Sequence, residues 1–141
     1  MNQQLINQER DFPAILRQHG INPTAQRLMV AEVLLSRCQH LSADQILKSI
    51  NEKQECVSKA TVYNTLNLFA DKGLINPVII DPNKVFYDSN INPHYHIYNE
   101  DSGELLDLDP DSLEISGIPE LPENTVKCGV DVIVRVRHDN S

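Results

Sequence analysis

Residues 85–108 decide how this chain is organised, and they read VFYD (85–88), SNINP (89–93), HYHIY (94–98), NEDSG (99–103) and ELLDL (104–108). This stretch brings His94 and His96 close in sequence to Asp88 and Asp107. The residues before it have mainly helical periodicity, and the residues after it are acidic and rich in strand formers. The stretch therefore predicts a boundary between two structural regions.

Two strands are predicted on either side of the acidic turn, at residues 94–98 and 104–108. If they form an antiparallel hairpin with a four-residue loop at 100–103, His96 faces Asp107 and Ile97 faces Leu106. One face then carries imidazoles and carboxylates, and the other face is apolar. A shift by one residue would mix the two faces. This register predicts that the apolar face packs on a core, while the polar face could gather a cation.

The chemistry of that polar face narrows the choice of cation. Imidazole and carboxylate ligands without a thiolate favour Fe(II), Mn(II), Zn(II) or Co(II) over a tetrahedral cysteine site. A His-x-His strand alone favours two exposed imidazoles that bind nothing. The opposed Asp107 and the nearby Asp88 favour the metal interpretation.

Composition and charge limit the partners of the chain. Its 141 residues are 40% hydrophobic, enough for a core, and no apolar run is long enough to span a membrane. The N-terminus lacks the pattern of a signal peptide, so we expect a cytoplasmic protein. The net charge is −8, but residues 1–88 hold 9 basic and 9 acidic residues, whereas residues 89–141 hold 3 and 11. The first region could therefore approach DNA, with an affinity that needs two copies and well-placed contacts.

The three cysteines, Cys38, Cys56 and Cys128, are odd in number and widely spaced. This pattern argues against a disulfide framework and against a structural zinc site of the Cys-x-x-Cys type. We expect them to be buried free thiols.

The region before the boundary is predicted to hold four helices, at residues 3–19, 26–37, 43–52 and 59–72. A hairpin of two strands, at residues 75–81 and 84–88, is predicted to follow them. Ser42 and Ser58 are the predicted N-caps of the third and fourth helices, and Gly73 is the residue that ends the fourth. Helices followed by a two-stranded hairpin are the order of a winged helix-turn-helix domain, in which the last helix enters the major groove and the hairpin is the wing.

The fourth helix has two different faces. Val62, Leu66, Phe69 and Ala70 have the spacing of a buried stripe. The other face carries a positive charge, hydroxyls and amides near the helix N-terminus, which suit phosphates and base edges. The residues predicted to bind DNA on this helix are Ser58, Lys59, Thr61, Tyr63 and Asn64. A merely solvated polar face is the alternative.

Beyond the hairpin, residues 109–122 contain three prolines, which argue against a long helix there. A short turn is compatible with residues 111–115. Residues 125–138 alternate valine with other side chains and predict one long strand.

The sequence resembles the ferric uptake regulator (Fur) superfamily of metal-dependent bacterial repressors, from about Gly20 to Arg137. The segments that carry the resemblance are PTAQR (23–27), HLSADQ (40–45), ATVYNTL (60–66), YD (87–88), HYH (94–96) and GELLD (103–107). The resemblance implies α+β architecture: an N-terminal winged helix-turn-helix domain (1–88), a hinge (89–93) and a small α/β dimerisation and metal-sensing domain (94–141). It also implies a homodimer whose regulatory metal, lying between the domains, holds the two winged helices at a spacing that fits DNA.

The resemblance also implies the functional residues. The implied metal ligands are His40, Asp88, His94, His96 and Asp107. Without the resemblance, His40 would be interpreted as a surface or capping histidine. Tyr63 falls on the base-contacting tyrosine of the family, and Arg27 of the first matching segment joins the predicted DNA-binding residues. We expect Fe(II) or Mn(II) at one regulatory site per subunit, with Zn(II) in purified protein or haem as other occupants.

Three departures from the family pattern matter. Asn99 and Ser102 stand where the first pair of a Cys-x-x-Cys structural zinc site would be, so no structural zinc is expected. Of a further metal site only Glu114 matches, because other ligands are replaced. The helix that follows Asp107 in the family looks shortened. We therefore expect one metal site per subunit and a dimer held by the valine-rich strand.

The resemblance leaves two branches open. Asn64 and the aspartates at 88 and 107 resemble the peroxide-responsive (PerR) branch, in which iron-bound histidines are oxidised by hydrogen peroxide and the repressor leaves DNA. Residues 99–103 and 130–135 resemble the iron response regulator (Irr) branch, which is linked to haem. The prediction is a metal-dependent repressor that binds operator DNA and responds to peroxide, iron status or both. The alternatives are a haem-responsive regulator, a His/Asp metalloenzyme, or a constitutive DNA-binding module.

Overall fold

A computed structural model describes residues 10–53, 56–117 and 119–140 of the chain. It divides the chain into two compact units, Met1–Ile91 and Asn92–Ser141. The division lies inside the segment 89–93, while the roles assigned to the two domains stay predictions. None of the described helices is both long and apolar enough to cross a membrane.

The described part of the first unit contains four helices, α1 Phe12–Gln18, α2 Ala25–Leu34, α3 Ala43–Glu52 and α4 Lys59–Asp71. Each begins after a side chain that accepts a hydrogen bond from the first turn: Asp11, Thr24, Ser42 and Ser58. Such capping oxygens satisfy backbone N–H groups that have no partner inside the helix. The first part of the predicted helix 3–19, residues 3–9, lies outside the described residues.

The ends of two helices show how local sequence sets their lengths. Helix α4 ends at Asp71, and Gly73, the residue predicted to follow its end, has a φ of 76° that suits glycine. Helix α2 ends at Leu34, three residues before the predicted Arg37, so that prediction was wrong. The side-chain amide of Gln39 donates to the carbonyls of Val33 at 2.7 Å and Leu34 at 3.1 Å. It thereby satisfies carbonyls that a longer helix would have used itself.

The hydrophobic core of the first unit is built from all four helices. Its fully buried members include Leu16, Val30, Leu34, Ile46, Val62, Leu66 and Phe69. The buried stripe predicted for α4 is confirmed at Val62, Leu66 and Phe69, while Ala70 is only partly buried. The polar face of α4 is consequently turned away from this core.

A three-stranded antiparallel sheet completes the first unit. Its strands are β1 His40–Ser42, β2 Asn76–Asp81 and β3 Lys84–Asp88, in the order β1-β3-β2. The hairpin β2–β3 was predicted, but β1 was missed because three residues carry no readable alternation. Strand β1 matters because its register sets His40 opposite Asp88.

The described part of the second unit is a three-stranded sheet with one short 3-10 turn, Pro110–Ser112. Its strands are β4 Tyr95–Asn99, β5 Leu105–Leu108 and β6 Ile133–Val136, in the order β5-β4-β6. The predicted register is confirmed: His96 pairs with Asp107 and Ile97 with Leu106. The described residues form four helices and two small sheets, a mixed fold of the predicted α+β class.

Strand β6 is shorter than predicted. Only Ile133–Val136 is a strand, rather than residues 125–138. It runs parallel to β4, and β4 itself spans only Tyr95–Asn99. A strand needs a partner strand for its backbone hydrogen bonds. The short β4 therefore limits the length of β6, although the alternating valines continue beyond it.

The burial of the second sheet differs from the prediction. His96, Tyr98 and Leu105 are buried. The apolar side, predicted to pack on a core, is instead partly or largely exposed, with Leu106 48% and Val134 37% accessible. We call this side the open face, and it consists of Tyr95, Ile97, Leu106, Leu108 and Val134. The predicted register assigned the side chains to the two faces of the sheet correctly. It did not predict which of the two faces is buried.

The turn between β4 and β5 is closed by its own polar groups. The Asn99 side-chain oxygen accepts from the backbone N–H groups of Asp101 at 2.9 Å and Ser102 at 3.1 Å. The carbonyl of Asn99 accepts from Gly103 N–H at 2.8 Å. Asn99 and Ser102 occupy the positions of the Cys-x-x-Cys pair in the family pattern, and here hydrogen bonds close the turn.

The three cysteines were expected to be buried. Cys38, Cys56 and Cys128 are all exposed free thiols, so that expectation was wrong.

Candidate functional site

The second sheet brings three potential metal ligands together. His94 precedes β4, His96 lies within it, and Asp107 faces His96 from β5. Oδ1 of Asp107 lies 3.4 Å from Nε2 of His94 and 3.7 Å from Nε2 of His96. The ligand atoms of all three lie within 4.8 Å of one another. This cluster could hold a metal ion.

The protonation of His94 supports that interpretation. Its Nδ1 lies 2.6 Å from the carbonyl oxygen of Asn92. A carbonyl oxygen only accepts hydrogen bonds, so Nδ1 carries the proton. In the neutral ring, Nε2 then presents a lone pair toward the Asp107 carboxylate, and two acceptors at that distance repel each other unless a cation or proton lies between them. Such a hydrogen bond on the far nitrogen is also the usual way of orienting a metal-binding imidazole.

His40 and Asp88, the other predicted ligands, are neighbours in the first sheet. They are register partners on β1 and β3, and Asp88 is only 1% exposed. Oδ1 of Asp88 accepts from the Asn90 N–H at 2.9 Å. A buried carboxylate needs such hydrogen bonds or a counter-charge.

Ser89 fixes the strand that carries His40. Its hydroxyl donates to the Arg37 carbonyl at 2.8 Å and accepts from the Gln39 N–H at 3.0 Å. The Ser89 N–H donates to the Gln39 carbonyl at 2.9 Å. Three hydrogen bonds therefore hold the start of β1 against the end of β3, which leaves His40 little freedom to move relative to Asp88.

The residues predicted to bind DNA form two adjoining groups in the first unit. A groove of about 350 Å³ lies between the start of α2 and the side of α4, and it brings Arg27 together with Thr61 and Asn64. Thr24, Gln26, Thr65 and Leu68 complete its lining. A guanidinium among hydroxyls and amides, at a helix N-terminus, suits a phosphate or a base edge.

The second group is at the start of α4. The Lys59 ammonium lies 5.8 Å from the centre of the exposed Tyr63 ring. The Ser58 hydroxyl accepts from Thr61 N–H at 3.1 Å and lies 2.9 Å from the Thr61 hydroxyl. Ser58 is therefore committed to capping α4, although its hydroxyl remains exposed.

Sequence reasoning missed one residue of this surface, Asp44. It lies in the first turn of α3, and its Oδ1 is 3.3 Å from the Lys59 ammonium. The capping pattern that begins at Ser42 predicts that Asp44 lies in the first turn of α3. The spacing of residues within one helix does not predict a contact with another helix.

One ionisation in this region is shifted. Burial of the Tyr87 phenol raises its pKa above the usual 10.0, and the nearby Tyr63 contributes in the same direction. Tyr87 therefore stays neutral at ordinary pH, and its side chain packs in the hydrophobic core.

Glu114, the residue considered for a second metal site, is exposed in the chain that follows the 3-10 turn. Among the described residues it belongs to no group of three or more potential ligands.

A winged helix-turn-helix unit, joined to a strand unit that carries a His/Asp cluster, defines the class of metal-binding regulators. The model of the ferric uptake regulator family matches residues 18–127, and the chain belongs to this family.

Named relatives and solved structures agree with that assignment. The peroxide-responsive repressor PerR of Staphylococcus epidermidis is 34% identical over 95 residues, which cover 67% of this chain and 63% of that protein. The matched part thus spans less than two thirds of that relative. The ferric uptake regulator of Vibrio cholerae has the same fold, with a TM-score of 0.71 at 24% identity over 91% of this chain and 100% of that one. The Pseudomonas aeruginosa regulator, solved with manganese, gives 0.68 at 23% identity over 90% and 97%.

Proposed function

We propose that this protein is a metal-dependent transcriptional repressor that binds operator DNA as a homodimer and responds to peroxide, iron status or both. The observation that carries the proposal is the cluster of two imidazoles and one carboxylate in the second sheet. A relative named as a peroxide-responsive repressor, 34% identical over 95 residues, supports it. The exposed polar face of α4 supplies the surface for DNA.

The ligand set favours Fe(II) or Mn(II), because it combines nitrogen and oxygen atoms without sulfur. A bound divalent ion would supply the charge that offsets repulsion between the Asp107 carboxylate and the lone pair on Nε2 of His94. The hydrogen bond from His94 to the Asn92 carbonyl holds that imidazole in orientation in its absence. The same histidines are the groups that peroxide chemistry at iron would modify.

We further propose that His40 and Asp88 complete the ligand set. The support is the family resemblance at both positions and their pairing across β1 and β3. Ligands contributed by both units would make metal binding favour one arrangement of the chain over others. A switch from 1:99 to 99:1 needs a preference of about 5.5 kcal/mol.

The proposed dimer uses the open face of the second sheet. That face exposes large apolar side chains, including Leu106 at 48% and Val134 at 37%. Contiguous apolar surface of this kind is typical of an interaction site. Two copies would also supply the paired DNA contacts that the neutral first region needs. Because the proposed partner is operator DNA, the proposed location of the protein is the cytoplasm.

The test is DNA binding under controlled metal. A duplex enriched from a random pool by the wild-type protein is titrated with Fe(II) or Mn(II), with and without hydrogen peroxide. We expect metal-dependent binding, lost in His96→Ala and Asp107→Asn. Because even changes to residues behind metal ligands lower affinity by about 10–100-fold, loss of a ligand should exceed that range.

Matched variants separate the site from general charge effects. His138→Ala and Asp111→Asn remove the same groups at exposed positions outside the cluster and should behave as wild type. Metal-independent DNA binding by the wild type would refute the sensor. Peroxide that releases DNA from the iron form but not the manganese form selects the peroxide response. A Soret band on adding haem, lost in His94→Ala, selects the haem-linked alternative.

A further inference from the structure

Two helix N-termini meet at the predicted DNA surface and carry opposite charges. Asp44 is the acidic residue in the first turn of α3, and Lys59 is the first residue of α4. Their charged atoms are 3.3 Å apart. The Lys59 ammonium also lies 5.8 Å from the centre of the Tyr63 ring, so it is held between a carboxylate and an aromatic face.

Stability does not account for this pair. The side chains of Lys59 and Asp44 are 61% and 70% exposed. Exposed pairs of this kind contribute little to folding, because water and salt screen them. The N-terminus of α3 is already capped by Ser42 and Gln45, each of which bonds to the backbone of the other.

The location of Asp44 has a consequence for nucleic acid. The Asp44 carboxylate is paired with the Lys59 ammonium, and it neutralises the cation that would otherwise attract phosphates. Sequence-independent DNA affinity arises mainly from such lysine–phosphate contacts. Lys59 is the only lysine among the predicted DNA-binding residues.

We propose that Asp44 is a specificity-determining residue, which restrains Lys59 from binding phosphates on non-operator DNA. The inference rests on the proposed DNA-binding function. A Lys59–phosphate contact on any duplex must first break the contact with Asp44. On the operator, base contacts by residues such as Tyr63 supply the affinity, so Lys59 stays paired with Asp44. On other sequences affinity comes mainly from phosphate contacts, and Asp44 weakens the contact that Lys59 would make, so Asp44 widens the gap between specific and non-specific binding.

The test is Asp44→Asn, measured against salt concentration. The probes are the duplex enriched by the wild-type protein and a duplex of the same composition with its sequence scrambled. We expect scrambled-duplex affinity to rise by about two- to fivefold, as befits an exposed charge pair. Affinity for the enriched duplex should rise less. The slope of log K against log salt should steepen by up to about 0.9 per subunit, because Lys59 now releases a counterion fully.

Two further variants isolate the mechanism. Asp71→Asn removes one negative charge at the other end of α4, about 18 Å along the helix and beyond the screening length of about 8 Å. It should leave the slope unchanged. In a Lys59→Gln background, Asp44→Asn should lose its effect, since the pair no longer exists. A role in stability alone would change neither the slope nor this double-mutant cycle.

The outcomes are distinct. A wild-type protein that never distinguishes the two duplexes refutes the DNA-binding function itself. A wild-type protein that does distinguish them, with Asp44→Asn equal to wild type, equal to Asp71→Asn or weaker on both duplexes, refutes the role of Asp44 only. Persistence of the effect in Lys59→Gln also refutes it.

Discussion

The two units of this chain differ in how they cover their apolar side chains. The first unit buries a core contributed by four helices, with Phe69, Leu66 and Leu34 fully inaccessible. In the second unit the buried residues of the described strands are His96, Tyr98 and Leu105. Small units bury a small share of their surface and are marginal alone. The difference teaches that the first unit has a hydrophobic core of its own, whereas the second leaves apolar side chains of its open face exposed.

The largest expected effect is on the core of the first unit. Phe69→Ala should lower the free energy of unfolding by about 3–5 kcal/mol, because it leaves a cavity at a fully buried site. Urea unfolding followed by far-UV circular dichroism measures this. Leu106→Ala, in the open face, removes a side chain that is 48% exposed and should cost clearly less in protein diluted to the monomer. Equal losses would remove the contrast between the units.

A smaller effect is expected on assembly. Leu106→Glu places a charge in the open face and should weaken the proposed dimer by about 30-fold or more, the range of a central interface residue. Sedimentation velocity over a concentration series measures the dissociation constant. Val126→Glu is the matched control, since Val126 is 84% exposed and lies outside the strands. An unchanged dimer in Leu106→Glu would assign the interface to another surface.

The smallest effect concerns pH. The folded pKa of Tyr87 is raised above 10.0, so its contribution to stability is complete below that pH and is lost as the pH rises further. Urea midpoints measured from about pH 8 to about pH 11 should fall, and fall less in Tyr87→Phe. If both proteins lose stability equally, other groups cause the alkaline decline.

Local signals predicted the first unit well. Helix α3 begins and ends where Ser42 and its spacing placed it, because the capping box is contained in neighbouring residues. The length of helix α2 was overestimated, because the side-chain amide of Gln39 donates hydrogen bonds to the last carbonyls of the helix. Strand β1 was missed because its signal is its partner β3, which is distant in sequence.

The candidate site was predicted in part. The hairpin register was found because one slip would have mixed His96 and Ile97 on the same face. The exposure of the open face was not found, since a pattern of alternation identifies two faces without saying which one meets other atoms. The contact between Asp44 and Lys59 joins two helices, and side-chain spacing within either helix cannot report it.

The junction of β1 and α3 contains no connecting residue: Ser42 is the last residue of the strand and the N-cap of the helix. His40 is therefore separated from the first turn of α3 by Leu41 and Ser42, which are both held in the sheet. A displacement of His40 would therefore be transmitted directly to α3, where Asp44 contacts the first residue of α4, the helix proposed to face DNA.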